Sequence, residues 1–277
     1  MQDFHFRSSP VSHFHPQNAG ADAVVVVAVG GFDPTGGAGV VRDLLTGRTL
    51  GARVRLVPTA WTAQAAATGV GAIEPRDPTA LGEAVSAALG AATALGPVAV
   101  KVGMMPNATA AASVLAALRT FAGPVVVDPV LGASSGGDLY RGDLRDLLGL
   151  VARATVATPN AVEAARLTGQ AISDLDGAAR AGKSLLEAGA RAVLIKGGHL
   201  EGAMAVDILV TPDGARHFSA ERLPGPSVRG TGCALATAIA VGLARGRALA
   251  DAVAEAKAWL HEAIQRAVAV GDEWHLD

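Results

Sequence analysis

The fold is decided at residues 23–39, AVVVVAVGGFDPTGGAG. Ala23 to Val29 is an unbroken apolar run, mostly β-branched. A run without polar alternation predicts a strand buried on both faces, as the central strands of a parallel sheet are. It stops at a glycine-rich loop, Gly30 to Gly39, and residues 40–50 then read as a helix whose polar face includes Asp43. Strand, glycine loop and helix in that order open an α/β unit. The loop fits neither standard nucleotide fingerprint. It contains no G-x-G-x-x-G, and Gly31-x4-Gly36 is followed by Gly37 rather than by Lys and Ser/Thr. What remains is a stretch of backbone able to come close to a small flat ligand.

The same plan repeats outward from this unit. Residues 53–58, 69–74, 98–102, 125–129, 155–157 and 192–199 read as strands, with the segment TAWTAQ (59–64) after the first of them. Helices are expected over 77–95, capped by Asp77 ahead of Pro78, over 107–121, capped by Asn107, from Asn160 onward, and over 174–188. Ala205–Val210 and Ala215–Phe218 bracket Thr211-Pro212-Asp213-Gly214, a hairpin signal. The chain closes on an amphipathic pattern over 249–269 that reads as a helix. Strand and helix alternate with no repeat and no low-complexity linker. This predicts an α/β fold with a central, mostly parallel sheet and helices on both faces, one domain over 21–277. Residues 1–20 are polar and aromatic, and with His5, His13 and His15 they read as a loose solvated arm rather than a metal site.

Bulk properties narrow the function classes. Half of the 277 residues are hydrophobic and 17% are charged, enough apolar material for a large core. The formal net charge of -2 gives no basic excess for nucleic acid. No apolar run reaches membrane-spanning length, and the N-terminus lacks a signal-peptide core. The lone Cys233 excludes a disulfide framework and a multi-cysteine zinc site, and fits a reducing cytoplasm.

Chemistry concentrates in a few places. In Arg229-Gly-Thr-Gly-Cys-Ala-Leu-Ala-Thr237, two glycines flank Thr231 ahead of an Ala-rich helix. A helix start carries unpartnered N–H groups and partial positive charge, so Gly230, Thr231, Gly232 and Cys233 are suited to hold an anion such as a phosphoryl group in transfer. Cys233 at that helix start is expected to have a lowered pKa and to serve as a base. Asp128 at the carboxyl end of a strand points to the ligand crevice of an open α/β sheet and is a candidate cation contact. Lys196, at the end of a buried strand, is out of place in a core and suited to a phosphate. The Gln64 amide donates and accepts, which suits a heterocycle bearing an amino group beside a ring nitrogen. Asn160 and Glu163 have the spacing of a capping box.

The segments GFDPTGGAGVVRDL, TAWTAQ, VKVGMM, VVVDPV, TPNAVEA, VLIKGGHLEG and RGTGCALATAIA, in that order, resemble the hydroxymethylpyrimidine/phosphomethylpyrimidine kinases of thiamine biosynthesis, of the ribokinase-like superfamily. The resemblance runs from about Val24 to about Ala269. It implies an ATP- and Mg²⁺-dependent kinase that phosphorylates 4-amino-5-hydroxymethyl-2-methylpyrimidine and then its monophosphate. It implies that Gln64, Gly31 and Asp43 surround the pyrimidine and that Met104 packs on the ring. Lys196, Asn160 and Glu163 would serve ATP, and Asp128 and Glu163 would stand near Mg²⁺. Gly230 to Cys233 would form the anion hole. It also implies a cytoplasmic homodimer with a small-molecule pyrimidine substrate and no nucleic-acid or membrane partner. Five places depart from the expected pattern: an N-terminal arm longer than expected, residues 65–68, Ser134 in place of Lys, Arg229 in place of His, and Ala234 in place of Thr. Arg229 is a candidate to restore the positive charge lost at Ser134. The alternatives are a pyridoxal/pyridoxine kinase, which acts on a similar aza-ring, and a non-catalytic pyrimidine-binding homologue.

Overall fold

The apolar run at the start of the chain becomes β1 (Val25–Phe32), buried along almost its whole length. It belongs to a computed structural model that describes residues 23–65, 69–133, 136–198 and 202–277. The expected N-terminal arm and Ser134 lie outside the described residues, as do the side chains of residues 64, 65, 69 and 70. In chain order β1 is followed by α1 (Gly39–Thr49), β2 (Arg53–Ala65), β3 (Gly69–Pro75), α2 (Pro78–Thr93), β4 (Val98–Val102) and α3 (Ala108–Ala117). Then come β5 (Val125–Val127), α4 (Leu148–Arg153), β6 (Val156–Ala157), α5 (Ala161–Thr168), α6 (Leu175–Glu187), β7 (Val193–Ile195), β8 (Met204–Thr211) and β9 (Gly214–Glu221). The chain finishes with β10 (Val228–Arg229), α7 (Thr231–Ala244), α8 (Leu249–Gln265), β11 (Val268–Val270) and β12 (Glu273–His275).

Among the described residues, nine strands form one sheet in the order β3-β2-β1-β4-β5-β6-β7-β8-β9. Pairing is parallel from β2 to β7, and antiparallel where β3, β8 and β9 join the edges. Alternation along β1 sorts its valines to two cores. Val25, Val27 and Val29 pack with residues of α2 and α3, while Val24 and Val26 lie in the cluster that includes α7 and α8. Each such valine is worth roughly 1.5–3 kcal/mol of burial. This is the mostly parallel sheet with helices on both faces that the sequence predicts. The hairpin of β8 and β9 turns at Thr211 and Gly214 as its sequence predicts. No helix among the described residues is long and apolar enough to cross a membrane.

Three differences from the sequence reading have physical causes. The strand expected over 53–58 and the segment TAWTAQ are one strand, because β3 pairs with Ala60 to Ala65 where β1 runs out. Trp61 also stacks edge-on against Phe32, with ring centroids 4.9 Å apart. Between Leu139 and Ala154, where no element is expected, a short 3-10 turn at Leu144–Leu147 leads into α4. The expected final helix over 249–269 stops at Gln265. Val268 and Val270 are β-branched and alternate ahead of Gly271, whose φ of +59° suits a tight turn, so this stretch forms the β11–β12 hairpin.

Candidate active site

Parallel strands deliver their carboxyl ends to the same edge of a sheet. Here that edge borders a cavity of about 710 Å³. Gly31 from β1, Met104 after β4, Asp128 after β5, Asn160 after β6 and Lys196 after β7 all line it. Gly230, Thr231, Gly232 and Cys233, at the amino end of α7, line it too. Ten of the residues expected at the site, Glu163 among them, therefore share one cavity.

The α7 turn is built to present backbone. Gly230 is the N-cap residue, with φ 73° and ψ 8°, and no side chain caps the helix. The first-turn N–H groups are thus left for another acceptor. A Cβ on Gly230 would lie 2.1 Å from the Gly37 carbonyl oxygen, and one on Gly39 2.1 Å from that of Gly31. The glycines let the loop after β1 and the turn before α7 touch backbone to backbone. This is a positively polarised pocket for an anion.

Facing it is a charge cluster. Lys196 Nζ stands 2.6 Å from Asp128 Oδ1 and 3.9 Å from Glu163 Oε2. A Cβ on Gly232 would lie 3.2 Å from Lys196 Nζ, which places the ammonium against the anion turn. Burial alone would lower the Lys196 pKa, and the two carboxylates more than offset it, so the group stays charged. Thr158 donates its hydroxyl to Asp128 Oδ1 at 3.2 Å. Asn160 and Glu163 form the capping box that their spacing predicts: each side chain accepts the other's backbone N–H at 2.8 Å. Burial pushes Glu163 up to about 7, against the pull of Lys196. No group of three or more His, Cys, Asp or Glu able to hold a metal occurs among the described residues. Two carboxylates, Asp128 and Glu163, fit Mg²⁺ delivered by a nucleotide, because Mg²⁺ keeps waters and phosphate ligands and needs only one or two carboxylates.

Cys233 corrects an expectation. Its thiol pKa is raised, not lowered: burial dominates, Asp43 and Asp128 add to it, and Lys101 only partly opposes. The helix start is outweighed by desolvation and by carboxylates nearby. Asp43 is likewise not on the cavity wall. It is fully buried behind it, with Oδ2 on Lys101 Nζ at 2.9 Å and Oδ1 accepting the Thr237 hydroxyl at 2.8 Å. Burial alone would lower the Lys101 pKa, and Asp43 beside it turns the shift upward. Lys101, rather than Asp43, reaches the cavity.

Sequence reasoning missed Lys101, although a lysine inside the apolar run VAVKV carries the same signal that singled out Lys196. It also missed the Asp207–Lys257 pair, 2.7 Å apart, for which no local pattern exists. Asp207 accepts the Gly197 N–H at 2.9 Å and so anchors the loop that follows Lys196. The cavity wall also includes the apolar residues Leu223, Val228, Leu260 and Ile264, with Arg222 and His261 among its polar ones. At the β1 and β4 end, Met104 packs with Ala60 and Leu139, and a Cβ on Gly31 would lie 2.5 Å from the Met104 sulfur. Gln64 sits near the end of β2, its backbone paired with Val70, and its side chain is outside the described part. Arg229 does not bring free positive charge to the site, because Glu273 and Asp33 both neutralise it. Ala234, in place of the expected Thr, is fully buried in a cluster with Ala263 and Leu276.

Comparison with known proteins identifies the family. The family model described as phosphomethylpyrimidine kinase matches residues 33–276. A hydroxymethylpyrimidine/phosphomethylpyrimidine kinase of Rhizobium meliloti is 42% identical over 250 residues, covering 88% of this chain and 91% of the relative. The crystal structure of a phosphomethylpyrimidine kinase from Clostridium difficile superposes with a TM-score of 0.74 at 33% identity, covering 87% of this chain and 99% of that one. A Staphylococcus aureus pyridoxal kinase in complex with ADP superposes with a TM-score of 0.82 at 27% identity, covering 93% and 94% of the two chains. A match that runs from within the glycine loop after β1, through the turn before α7, to residue 276 settles the family: the chain belongs to the phosphomethylpyrimidine kinases.

Proposed function

We propose that this enzyme transfers the γ-phosphoryl group of ATP to the hydroxymethyl group of 4-amino-5-hydroxymethyl-2-methylpyrimidine, and then phosphorylates the monophosphate to the diphosphate. The observation that carries the reading is the apposition of the Gly230–Cys233 turn and Lys196 across one cavity. Phosphoryl transfer asks the protein for positioning and charge stabilisation rather than covalent help. The N–H groups of the turn meet the charge on the transferring group, and losing one such donor costs about 10²–10³-fold in rate. Lys196 neutralises the nucleotide phosphates. Asp128 and Glu163 would hold Mg²⁺, which would supply charge neutralisation at the nucleotide phosphates. Gly31 and Met104 offer a flat, close-fitting wall for the ring, and the resemblance assigns Gln64 to its edge. The apolar surface of Leu223, Val228, Leu260 and Ile264 takes the adenine.

Cys233 lies where the acceptor hydroxyl approaches the turn. With its thiol held protonated, it orients that hydroxyl by hydrogen bonding in the ground state. The proton leaves only as the bond to phosphorus forms, passing to water or to an oxygen of the transferred phosphoryl group.

The test is an ADP-release assay with Mg-ATP and the pyrimidine, its monophosphate, or pyridoxal, with products identified by mass spectrometry. The expected result is pyrimidine monophosphate followed by diphosphate. Phosphorylation of pyridoxal alone, or pyrimidine binding without product, would overturn the assignment.

A further inference from the structure

Arg229 and Asp33 on the cavity wall belong to a second charge cluster, which the phosphoryl chemistry does not use. Arg229 is the last residue of β10 and immediately precedes Gly230. Its guanidinium holds both oxygens of Glu273, at 2.6 and 2.7 Å, and Asp33 Oδ2 at 3.2 Å. These three side chains come from distant parts of the chain; Arg229 and Asp33 are buried and Glu273 is partly so. His275 Nε2 lies 3.1 Å from the same Glu273. Burial would raise the Glu273 pKa, but the hydrogen bonds from Arg229 and His275 reverse that and hold it below the ordinary value.

Each partner is tied to something else at the site. Asp33 Oδ1 accepts the backbone N–H of Thr35 at 3.0 Å and its hydroxyl at 2.9 Å, and the Thr35 oxygen accepts the Gly37 N–H at 3.2 Å. β12 pairs in parallel with β10, Val228 opposite Trp274 and Arg229 opposite His275. Arg42 of α1 donates to the Leu276 carbonyl at 2.9 Å and to the Gly36 carbonyl at 3.3 Å. A Cβ on Gly37 would come within 3.0 Å of the His275 ring. Three segments thus meet at one guanidinium: the glycine loop after β1, the strand leading into the anion turn, and the hairpin that follows α8.

Building on the kinase reading above, we propose that Arg229 and Glu273 are positioning residues for phosphoryl transfer, and that β12 is a working part of the active site. With two carboxylates on it, Arg229 has no net positive charge to offer a phosphate. Its fork instead fixes the backbone one residue before Gly230, and so sets where the N–H groups of the turn point. Displacing such donors by about 1 Å costs on the order of 10²-fold in rate. A guanidinium suits this task because its planar donors engage two carboxylates at once, which an ammonium does less well.

The test uses the full chain with Glu273→Gln, Arg229→Lys, and the double variant Arg229→Gln/Glu273→Gln, which removes the cation together with the Glu273 charge and leaves an amide donor at position 229 for Asp33. Steady-state kinetics and hydrogen–deuterium exchange of the 229–235 peptide are measured for each, with melting curves to confirm folding. The expected result is a fall in kcat of about tenfold for Glu273→Gln and about 100-fold for the double variant. KM for ATP and for the pyrimidine stays within about threefold, Arg229→Lys retains intermediate activity, and the 229–235 amides exchange faster in all three. A rise in KM for ATP at unchanged kcat would make Arg229 a phosphate contact and overturn the inference. Folded variants with wild-type kcat would overturn it too, since a purely structural tie would alter only the melting curve. An inactive wild-type protein would sink the kinase reading instead, and the exchange data would still decide this one: unchanged exchange at 229–235 refutes it.

Discussion

Replacing Gly230 by Ala perturbs the site at a point where the geometry gives the size of the effect. A Cβ there would lie 2.1 Å from the Gly37 carbonyl oxygen, about 1.3 Å short of ordinary contact at 3.4 Å, and 3.0 Å from Arg42 Cγ. The obstacle is backbone, so one of the two segments has to move. The left-handed φ of 73° adds roughly 1–2 kcal/mol of strain for a residue with a Cβ. Relieving most of the overlap displaces the anion turn or the glycine loop by about 1 Å, which predicts a loss of about 10²-fold in kcat. Gly246→Ala separates strain from displacement, because Gly246 has φ 77° and nothing within 4 Å of its would-be Cβ. That control is expected to lose roughly 1 kcal/mol of stability and keep its kcat. Turnover by ADP release and stability by urea unfolding measure both. A folded Gly230→Ala variant with kcat within threefold of wild type would refute the reasoning, because the turn would then tolerate a shift that phosphoryl positioning forbids.

Three other outcomes follow from the buried charges. Asp43→Asn strands the Lys101 ammonium in the core and should cost about 3–5 kcal/mol in urea unfolding, with Lys101→Met/Asp43→Leu recovering much of the loss; a loss under 1 kcal/mol would show that the pair is not buried as described. Glu163, pushed up to about 7, favours the fold as a neutral acid, so its contribution is present below about pH 4.5 and is lost as pH rises through 7. Metal-free wild-type protein should therefore lose about 3 kcal/mol relative to Glu163→Gln across that interval, and a difference independent of pH would contradict it. Cys233, with its thiol pKa raised, should react with iodoacetamide more slowly than a free cysteine at pH 8 and keep accelerating above pH 9; a rate that levels off below pH 8, followed by mass spectrometry, would mean a thiolate at neutral pH.

Much of this was legible in the sequence because it is written locally. The apolar run before Gly30, the cap at Asp77 and the Asn160–Glu163 box each depend on residues a few positions apart, and the structure repeats them. Lys196 and Asp128 were legible for another reason: a charge at the end of an apolar strand has few places to go but a cavity. The illegible parts are long-range. Nothing near Glu273 announces a bond to Arg229, 44 residues away, or through it to Asp33. Asp43 read as part of a polar helix face and proved the opposite, because its partners Lys101 and Thr237 lie on other elements. The thiol of Cys233 followed the same rule. A helix start is visible in sequence, whereas the desolvation and the carboxylates that outweigh it exist only once β4, β5 and α1 have converged.

The Lys101–Asp43–Thr237 junction also bears on how the enzyme responds to heat. It joins β4, α1 and α7 directly behind the anion turn. Hydration of ions grows less favourable on warming, so the penalty for keeping this pair dry shrinks while apolar contacts gain little more. The cost of keeping this junction dry should therefore fall on warming, so that it opposes the fold less near the melting point than at room temperature.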